Sequence, residues 1–493
     1  MMKPEVEALE HGDGMHLSEE LKQYLLQRHG TIDLDPLPSM YDADPLNWPK
    51  WKKVVNILLV AFHAMIATFT AASIQSAFVQ IAEDLHASVQ RTSYLVSIII
   101  AILGGAPFFW RPLSQRYGRR PIFLLSVLCS LIGNVGCAVS HSYGTMGVCR
   151  AITAFFICPA AAIGTGVVQE MFFRKERARY MGVWTIMVTL GVPVAPFIFG
   201  FVAQRVSYRW IYWILAITNG VQFILHALFG PETRFLPNHV PQGMSAFRQE
   251  YLSFRRIDPT PLRFTEFIDP LRFFAYPIVM VPAASYAMIF LWGAVMLSFE
   301  IPQIYPEKFG LNTEQVGLQY VGVIVGTVIG EQFGGIISDR WMLMQERRGK
   351  TPRPEYRLWL SYFGYLLTIC GVVVFFVQTE NASDKWNVTP IIGAGIGAAG
   401  NQVVTTVLIT YAVDSYPQDA AAIGVFITFI RQTWGFIGPF WIPEMIKNIG
   451  FGASAGVSTA MIVAVSILPT ILLQWKGRRW QKRSNKTGES YHS

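Results

Sequence analysis

Residues Arg111 to Pro121 read RPLSQRYGRRP, a short polar stretch between two long apolar runs. It carries Arg111, Arg116, Arg119 and Arg120 around Gly118, and the runs on either side are long enough to cross a bilayer. Half a chain later, Ile337-Ser338-Asp339-Arg340 echoes Leu113-Ser114-Gln115-Arg116, again directly after an apolar run. Two like-placed basic turns in two halves imply a duplicated membrane protein. Internal repeats of this kind point to secondary transporters.

Working outward, the composition agrees. Of 493 residues 52% are apolar and 15% charged, against roughly 25% charged in an ordinary soluble domain. The net charge is +8, but the basic residues sit mostly in links between apolar runs. That placement speaks for orientation in a membrane and against nucleic-acid binding. The N-terminus is polar and acidic, with no signal peptide. Cys129, Cys137, Cys149, Cys158 and Cys370 all fall in or beside apolar runs and lack metal-ligand spacing, so they read as packing residues.

Twelve spans of about 20 residues are expected, each enough for ~30 Å of hydrocarbon. They cover 54–78, 91–110, 121–140, 144–169, 180–203 and 210–229, then 278–299, 316–338, 358–378, 389–412, 421–443 and 455–475. The expected fold is therefore an all-α membrane protein of two pseudo-symmetric six-helix halves, 54–229 and 278–475. A tail (1–53), a central link (230–277) and a C-terminal tail (476–493) complete it. Ser18 to His29 has the caps of a short helix, with Gly30 after it. Trp48 and Trp51 beside Lys50, Lys52 and Lys53 suit the headgroup layer.

The links after spans two, four and eight hold fourteen Lys or Arg, and those after spans three, five, seven, nine and eleven hold five. The positive-inside rule then places both termini in the cytosol. The turn after span ten, with Asp414 and Asp419, breaks the pattern by having no basic residue. Span five runs through Gly191, Pro193 and Pro196, and span eleven through Gly435, Gly438 and Pro439. Mid-span proline bends a helix and glycine admits a close neighbour, so these residues are candidate elements of a moving part.

These residues resemble the major facilitator superfamily, and within it the fungal twelve-span drug:proton antiporters. The resemblance covers about residues 44–475. It rests on DPLNWPKWKK (44–53), PLSQRYGRRP (112–121), GVPVAPFIFG (191–200), YRWIYWILAITNG (208–220), PETRFLP (231–237) and YAVDSYP (411–417), with Arg150 at the place of the family's span-four arginine. Where the family's loop usually has an aspartate this chain has Gln115, so a charge contact at that gate is missing or replaced; the second copy keeps Asp339. Val192, Ala195 and Phe199 replace a proline and two glycines of span five, and Ala154 a glycine of span four. The resemblance implies a major facilitator fold, with a cytosolic gate at Arg116, Gly118, Arg119, Arg120, Asp339 and Arg340.

Alternating access needs a midplane site, two gates and, for coupling, a group that changes protonation. Arg150 and Arg431 are the arginines inside spans and Glu331 the clearest carboxylate. Charge at a helix centre costs about 2.5–3.5 kcal/mol, so each should face protein or a wet cavity. A substrate or proton pathway competes with a fixed structural role for all three, and gate locking is a further role for Glu331. His63 and His226 are weaker coupling candidates. Phe62, Phe69, Trp184, Tyr286, Trp292 and Trp434 form a candidate aromatic lining. Gly349-Lys350-Thr351 ends like a phosphate loop, but Met344 stands where its first glycine is required, so no ATP site is expected. No metal or other cofactor is expected, only the proton gradient.

Asn381 and Asn387 begin glycosylation sequons in a link placed outside. The expected function is proton-coupled export of small organic molecules, drugs or fungal secondary metabolites, from a plasma-membrane monomer. Its partners are the lipid bilayer, the substrate and the proton. The alternative is a proton-coupled importer of an organic cation such as a polyamine, or of another nutrient. A non-transporting sensor fits poorly, because the tails are too short for a signalling domain.

Overall fold

The computed structural model describes residues 18–237, 245, 247–252, 254–347, 354–382 and 385–489; the side chains at 339, 346, 354, 478, 479 and 481–489 lie outside that description. The described regular structure is helical throughout. Six long helices form the first half: α1 (Lys50–Asp84), α2 (Val89–Tyr117), α3 (Arg119–Ala138), α4 (Tyr143–Met171), α5 (Arg174–Arg205) and α6 (Arg209–Phe229). The second half has α7 (Pro277–Phe309), α8 (Thr313–Arg347), α9 (Leu358–Asn381) and α10 (Thr389–Ser415). It ends in one continuous run from Ala420 that breaks at Gly450 (φ 78°, ψ 171°) into α11 (420–449) and α12 (451–477). Twelve spans are thus present. The link expected at 444–454 is replaced by helix on both sides of a one-residue elbow, which glycine's access to positive φ permits.

The buried core is divided. One cluster, around Tyr286, Trp292, Tyr305 and Tyr365, belongs to the second half. The clusters of the first half take in Val295 and Phe299 from α7. The halves meet along two seams, α2 on α11 and α5 on α8. On the first, Tyr94 stacks on Phe440 with centroids 4.4 Å apart, the Gln90 amide donates to the Pro439 carbonyl (2.6 Å), and Phe108 meets Phe429 edge-on at 5.3 Å. On the second, a Cβ on Gly200 would lie 3.0 Å from Gly317 Cα, and Arg205 bridges Glu314 at 2.9 Å. The expected bending residues sit at such approaches. A Cβ on Gly191 would come 2.1 Å from Thr68 Oγ1 of α1, and one on Gly438 would come 2.5 Å from Leu291 of α7. Pro193 and Pro196 lie inside α5 and Pro439 inside α11.

Within the second half, α10 is held by backbone contact on two sides. A Cβ on Gly326 of α8 would stand 1.9 Å from the Gly395 carbonyl, and one on Gly371 of α9 would stand 2.2 Å from Gly397 N. Such approach is possible only between helices that present no side chains there.

The tail folds as the caps predict: the helix Glu19–His29 starts at Ser18, whose hydroxyl accepts from Leu21 N, and ends at Gly30 with φ 72°. One expectation for the tail is corrected. Trp48 is not at the headgroups but buried, its indole N–H donating to Glu250 at 2.9 Å. Lys52 bridges the same carboxylate, and a buried lysine and indole need that acceptor. Trp51, by contrast, is 66% exposed, and with exposed Trp359 and Trp475 it rings the end of the bundle that carries the basic links.

Candidate functional site

The α2–α3 turn, the stretch quoted at the outset, is built from its own glycine outward. Gly118 has φ +95°, ends α2 and starts α3. A Cβ there would lie 2.3 Å from Glu232 Oε2 and 2.7 Å from Ile257 Cδ1, so space as well as backbone angle requires glycine. Glu232 caps the first turn of α3, accepting from Arg119 N at 2.8 Å and Arg120 N at 2.9 Å, and also from Arg234 N. A carboxylate at a helix N-terminus meets unsatisfied donors and the positive end of the dipole. Burial pushes the Glu232 carboxyl above its ordinary range, against the pull of those N–H groups.

The three arginines then divide the work. Arg119 pairs with Glu170 at the end of α4 (2.9 Å) and donates to the Ser114 hydroxyl. Arg120 donates to the carbonyls of His226 (2.8 Å), Ala227 (2.9 Å) and Gly230, capping the C-terminus of α6. Arg116 pairs with Asp258 and Glu266 of the central link, the latter at 2.8 Å. Hydrogen bonds from Thr260, followed by Arg116, hold the Asp258 carboxyl below its usual range. The contact missing at Gln115 is thus supplied from the link.

The second-half copy is different. Asp339 and Arg340 lie within α8, which runs on to Arg347; Arg340 is exposed and the Asp339 side chain is outside the described residues. Arg357 donates to Ser338 Oγ (2.9 Å) and meets Asp414 at 3.4 Å. Asp419, before α11, pairs with Arg272 of the central link. The acidic turn that broke the charge pattern is therefore matched by arginines from two other links. Gly349-Lys350-Thr351 lies outside the described residues.

Inside the bundle, Arg150 is 1% exposed and fully engaged in its own half. It donates to Leu95 O (2.9 Å), to Tyr212 Oη (3.2 Å) and to Ala71 O (3.4 Å), on three different helices. Two of its three partners are backbone carbonyls. Arg431 is only partly buried; it donates to Tyr286 Oη (3.0 Å) and lies 4.7 Å from the centroid of the Phe290 ring. Glu331 of α8 accepts from Gln402 of α10 at 2.9 Å, and Gln402 accepts from Asn401 at 2.9 Å. Asn401 Oδ1 has no partner among the described residues. His63 and His226 lie 5.4 Å apart between α1 and α6, packed around Phe123, with His63 on the Ser126 hydroxyl at 3.0 Å.

The expected aromatic lining does not assemble as one wall. Trp292 is buried against Trp441, Phe69 against Phe199, and Trp184 lies against Gly164 of α4. Phe62 and Trp434 pack on the clusters of separate halves. Only Tyr286 reaches a charged group, Arg431. Two acids escaped the sequence reading. Glu300 is 2% exposed inside α7, one residue beyond the expected end of that span, and its Oε1 has no partner among the described residues. Glu232 sat within a quoted motif, but its place under α3 had no local signal. Asn381 ends α9 and Asn387 is exposed, its side chain accepting from Thr389 N; Ser383 of the first sequon is outside the described residues.

The sequence model of the Major Facilitator Superfamily matches residues 60–439. The chain belongs to this superfamily. It is therefore a membrane transporter and not an enzyme. Among curated members, it is 26% identical over 461 residues to "MFS-type transporter atr4" of Stereocaulon alpinum, covering 90% of this chain and 81% of that one. It is 25% identical over 450 residues to "Efflux pump radE" of Floropilus chiversii, covering 88% and 82%. A solved mutant of the peptide transporter POT in complex with alafosfalin shares the superfamily fold, with TM-score 0.62 and 13% identity over 89% of this chain and 97% of that one.

Proposed function

We propose that this transporter exports small organic molecules, drugs or fungal secondary metabolites, in exchange for protons. The observation that carries the coupling is Glu331: a carboxylate inside a span whose described partner is the neutral amide of Gln402, not a cation. An ionisable side chain inside a span with no cation against it is a functional-site candidate by default, and a carboxyl is the group a proton carrier needs. Arg431, over the Phe290 ring and on the Tyr286 hydroxyl, is the companion group for a substrate or for the ionised acid. Export is favoured by the relatives named as efflux pumps. The basic end faces the cytosol in this reading, with both termini there, in the plasma membrane of a monomer driven by the proton gradient and using no ATP. In that orientation the sequons at Asn381 and Asn387 lie on the other side, open to glycosylation.

The test is accumulation of labelled compounds in deletion and complemented cells, with and without a protonophore. Deletion should raise accumulation of substrates, the protonophore should mimic deletion, and Glu331→Gln should lose concentrative export while retaining exchange. Lowered accumulation on deletion for every responding compound would sink export. Unchanged export by Glu331→Gln would remove Glu331 from the coupling.

A further inference from the structure

The central link between the halves has an outer face that no part of the described protein covers. From Phe264 to Ala275 it forms a short α-turn followed by 3₁₀ helix. Phe267, Pro270 and Phe273 turn inward, Phe273 fully buried. Phe264, Ile268, Leu271 and Phe274 turn outward and are 76%, 46%, 36% and 51% exposed. Apolar side chains on both faces of one segment are unstable in water, so the outer face needs an apolar environment.

The depth of the segment says which one. Phe267 lies 6.0 Å from Phe109, two turns short of the end of α2, and Phe274 meets Phe426, well inside α11, at 5.0 Å. The segment therefore crosses the α2–α11 seam at the helix ends, where Glu266 meets Arg116 and Arg272 meets Asp419, and its Phe267 and Phe274 rings reach residues about two turns further in. Exposed Trp51, Trp359 and Trp475 ring the same end of the bundle, the place of an interfacial aromatic belt.

Charge is sorted the same way. Each described acid of this stretch is paired with a cation: Glu250 with Lys52, Asp258 and Glu266 with Arg116, and Asp269 with Arg272 of its own segment. Arg248, Arg255, Arg256 and Arg263 remain exposed. An outward apolar row bordered by arginines, with its acids already paired, complements an anionic lipid surface.

We infer that the central link is an interfacial anchor, with Phe264, Ile268, Leu271 and Phe274 inserted among acyl chains and Arg255, Arg256 and Arg263 on anionic lipid phosphates, across the seam between the halves. The proposed orientation decides only which leaflet is meant. The test reads depth, not transport, so its failure is separable from that of the export reading. Nitroxide labels are placed at Phe264→Cys, Ile268→Cys and Phe274→Cys of the full chain lacking its five native cysteines. Each is reconstituted in nanodiscs of phosphatidylcholine with or without phosphatidylserine.

All three labels should be relaxed by oxygen and shielded from a water-soluble nickel relaxant, more deeply with phosphatidylserine. Replacing Arg255, Arg256 and Arg263 by Gln should remove that lipid dependence. Preferential relaxation by nickel at all three sites would overturn the anchor, and equal depth in both lipids would overturn the assignment to anionic lipid. Exclusion of both relaxants in detergent as well as in nanodiscs would mean that a protein or a second copy covers the face, and would also overturn it.

Discussion

The two basic links share a register but not a structure. Ser114 and Arg116 align with Ser338 and Arg340, which puts Met342 where Gly118 stands. At Gly118 the first half turns within one residue, and Arg116, Arg119 and Arg120 each find carbonyls or carboxylates. At Met342 the second half continues as helix, with Arg340 exposed. The same asymmetry recurs inside the bundle, where Arg150 is bound on three sides and Arg431 partly open on aromatic rings. A duplicated motif thus acquires its role from what the chain places against it. The central link pairs with the first-half turn through Arg116, and α8 runs on where the first half turns, so the first copy of the motif is braced and the second leaves Arg340 exposed.

The widest gap should separate the two arginines inside the spans. Arg150→Ala removes three hydrogen bonds and leaves a cavity in the buried interior, a loss of about 3 kcal/mol or more; little monodisperse protein should survive solubilisation, and Arg150→Lys should restore little of it because the planar fork is lost. Arg431→Ala should leave thermal stability near that of the parent while transport falls more than tenfold, about 1.4 kcal/mol of barrier. If the two variants behave alike in melting and in transport assays, the contrast between the bound and the partly open arginine is wrong.

Gly118→Val combines a positive φ with a clash on the Glu232 carboxylate, roughly 3 kcal/mol. Met342→Val, at the matching register in continuous helix, should cost less than about 1 kcal/mol. Melting curves on the pair decide whether the turn is unique to the first half.

Arg120→Ala uncaps α6 and should cost about 2 kcal/mol; Arg340→Ala should lie within about 0.5 kcal/mol. Equal shifts in melting temperature would erase the difference between the copies.

The smallest effect is in pH. Asp258 is held below its ordinary range, so its contribution is present above the unfolded value and lost as pH falls through the folded one. Glu232 is raised, so its sign is opposite: its contribution is whole below the ordinary glutamate range and shrinks as pH rises through the folded value. Asp258→Asn should flatten the acid arm of a melting-temperature profile, and Glu232→Gln should flatten the arm just above it. Superimposable profiles would show that neither group titrates as placed.

The spans were legible because length and hydropathy act locally. The elbow at Gly450 was not, because 444–454 reads as an ordinary link and only the backbone angles show the helix resuming. Trp48 was misplaced because its acceptor, Glu250, is 202 residues away. Arg150 was open to two readings because carbonyls, its main partners, carry no residue identity. Glu300 was missed by one residue at an edge that hydropathy defines poorly.

One consequence follows from the glycine faces of α10. Side chains that interlock make a helix pair a gear, which moves only by disengaging. Between Gly326 and Gly395, and again between Gly371 and Gly397, backbone lies on backbone with nothing to disengage. In mechanical terms α10 is a shaft seated between two plain bearings, and Gln402, which holds Glu331 by a hydrogen bond, is mounted on that shaft.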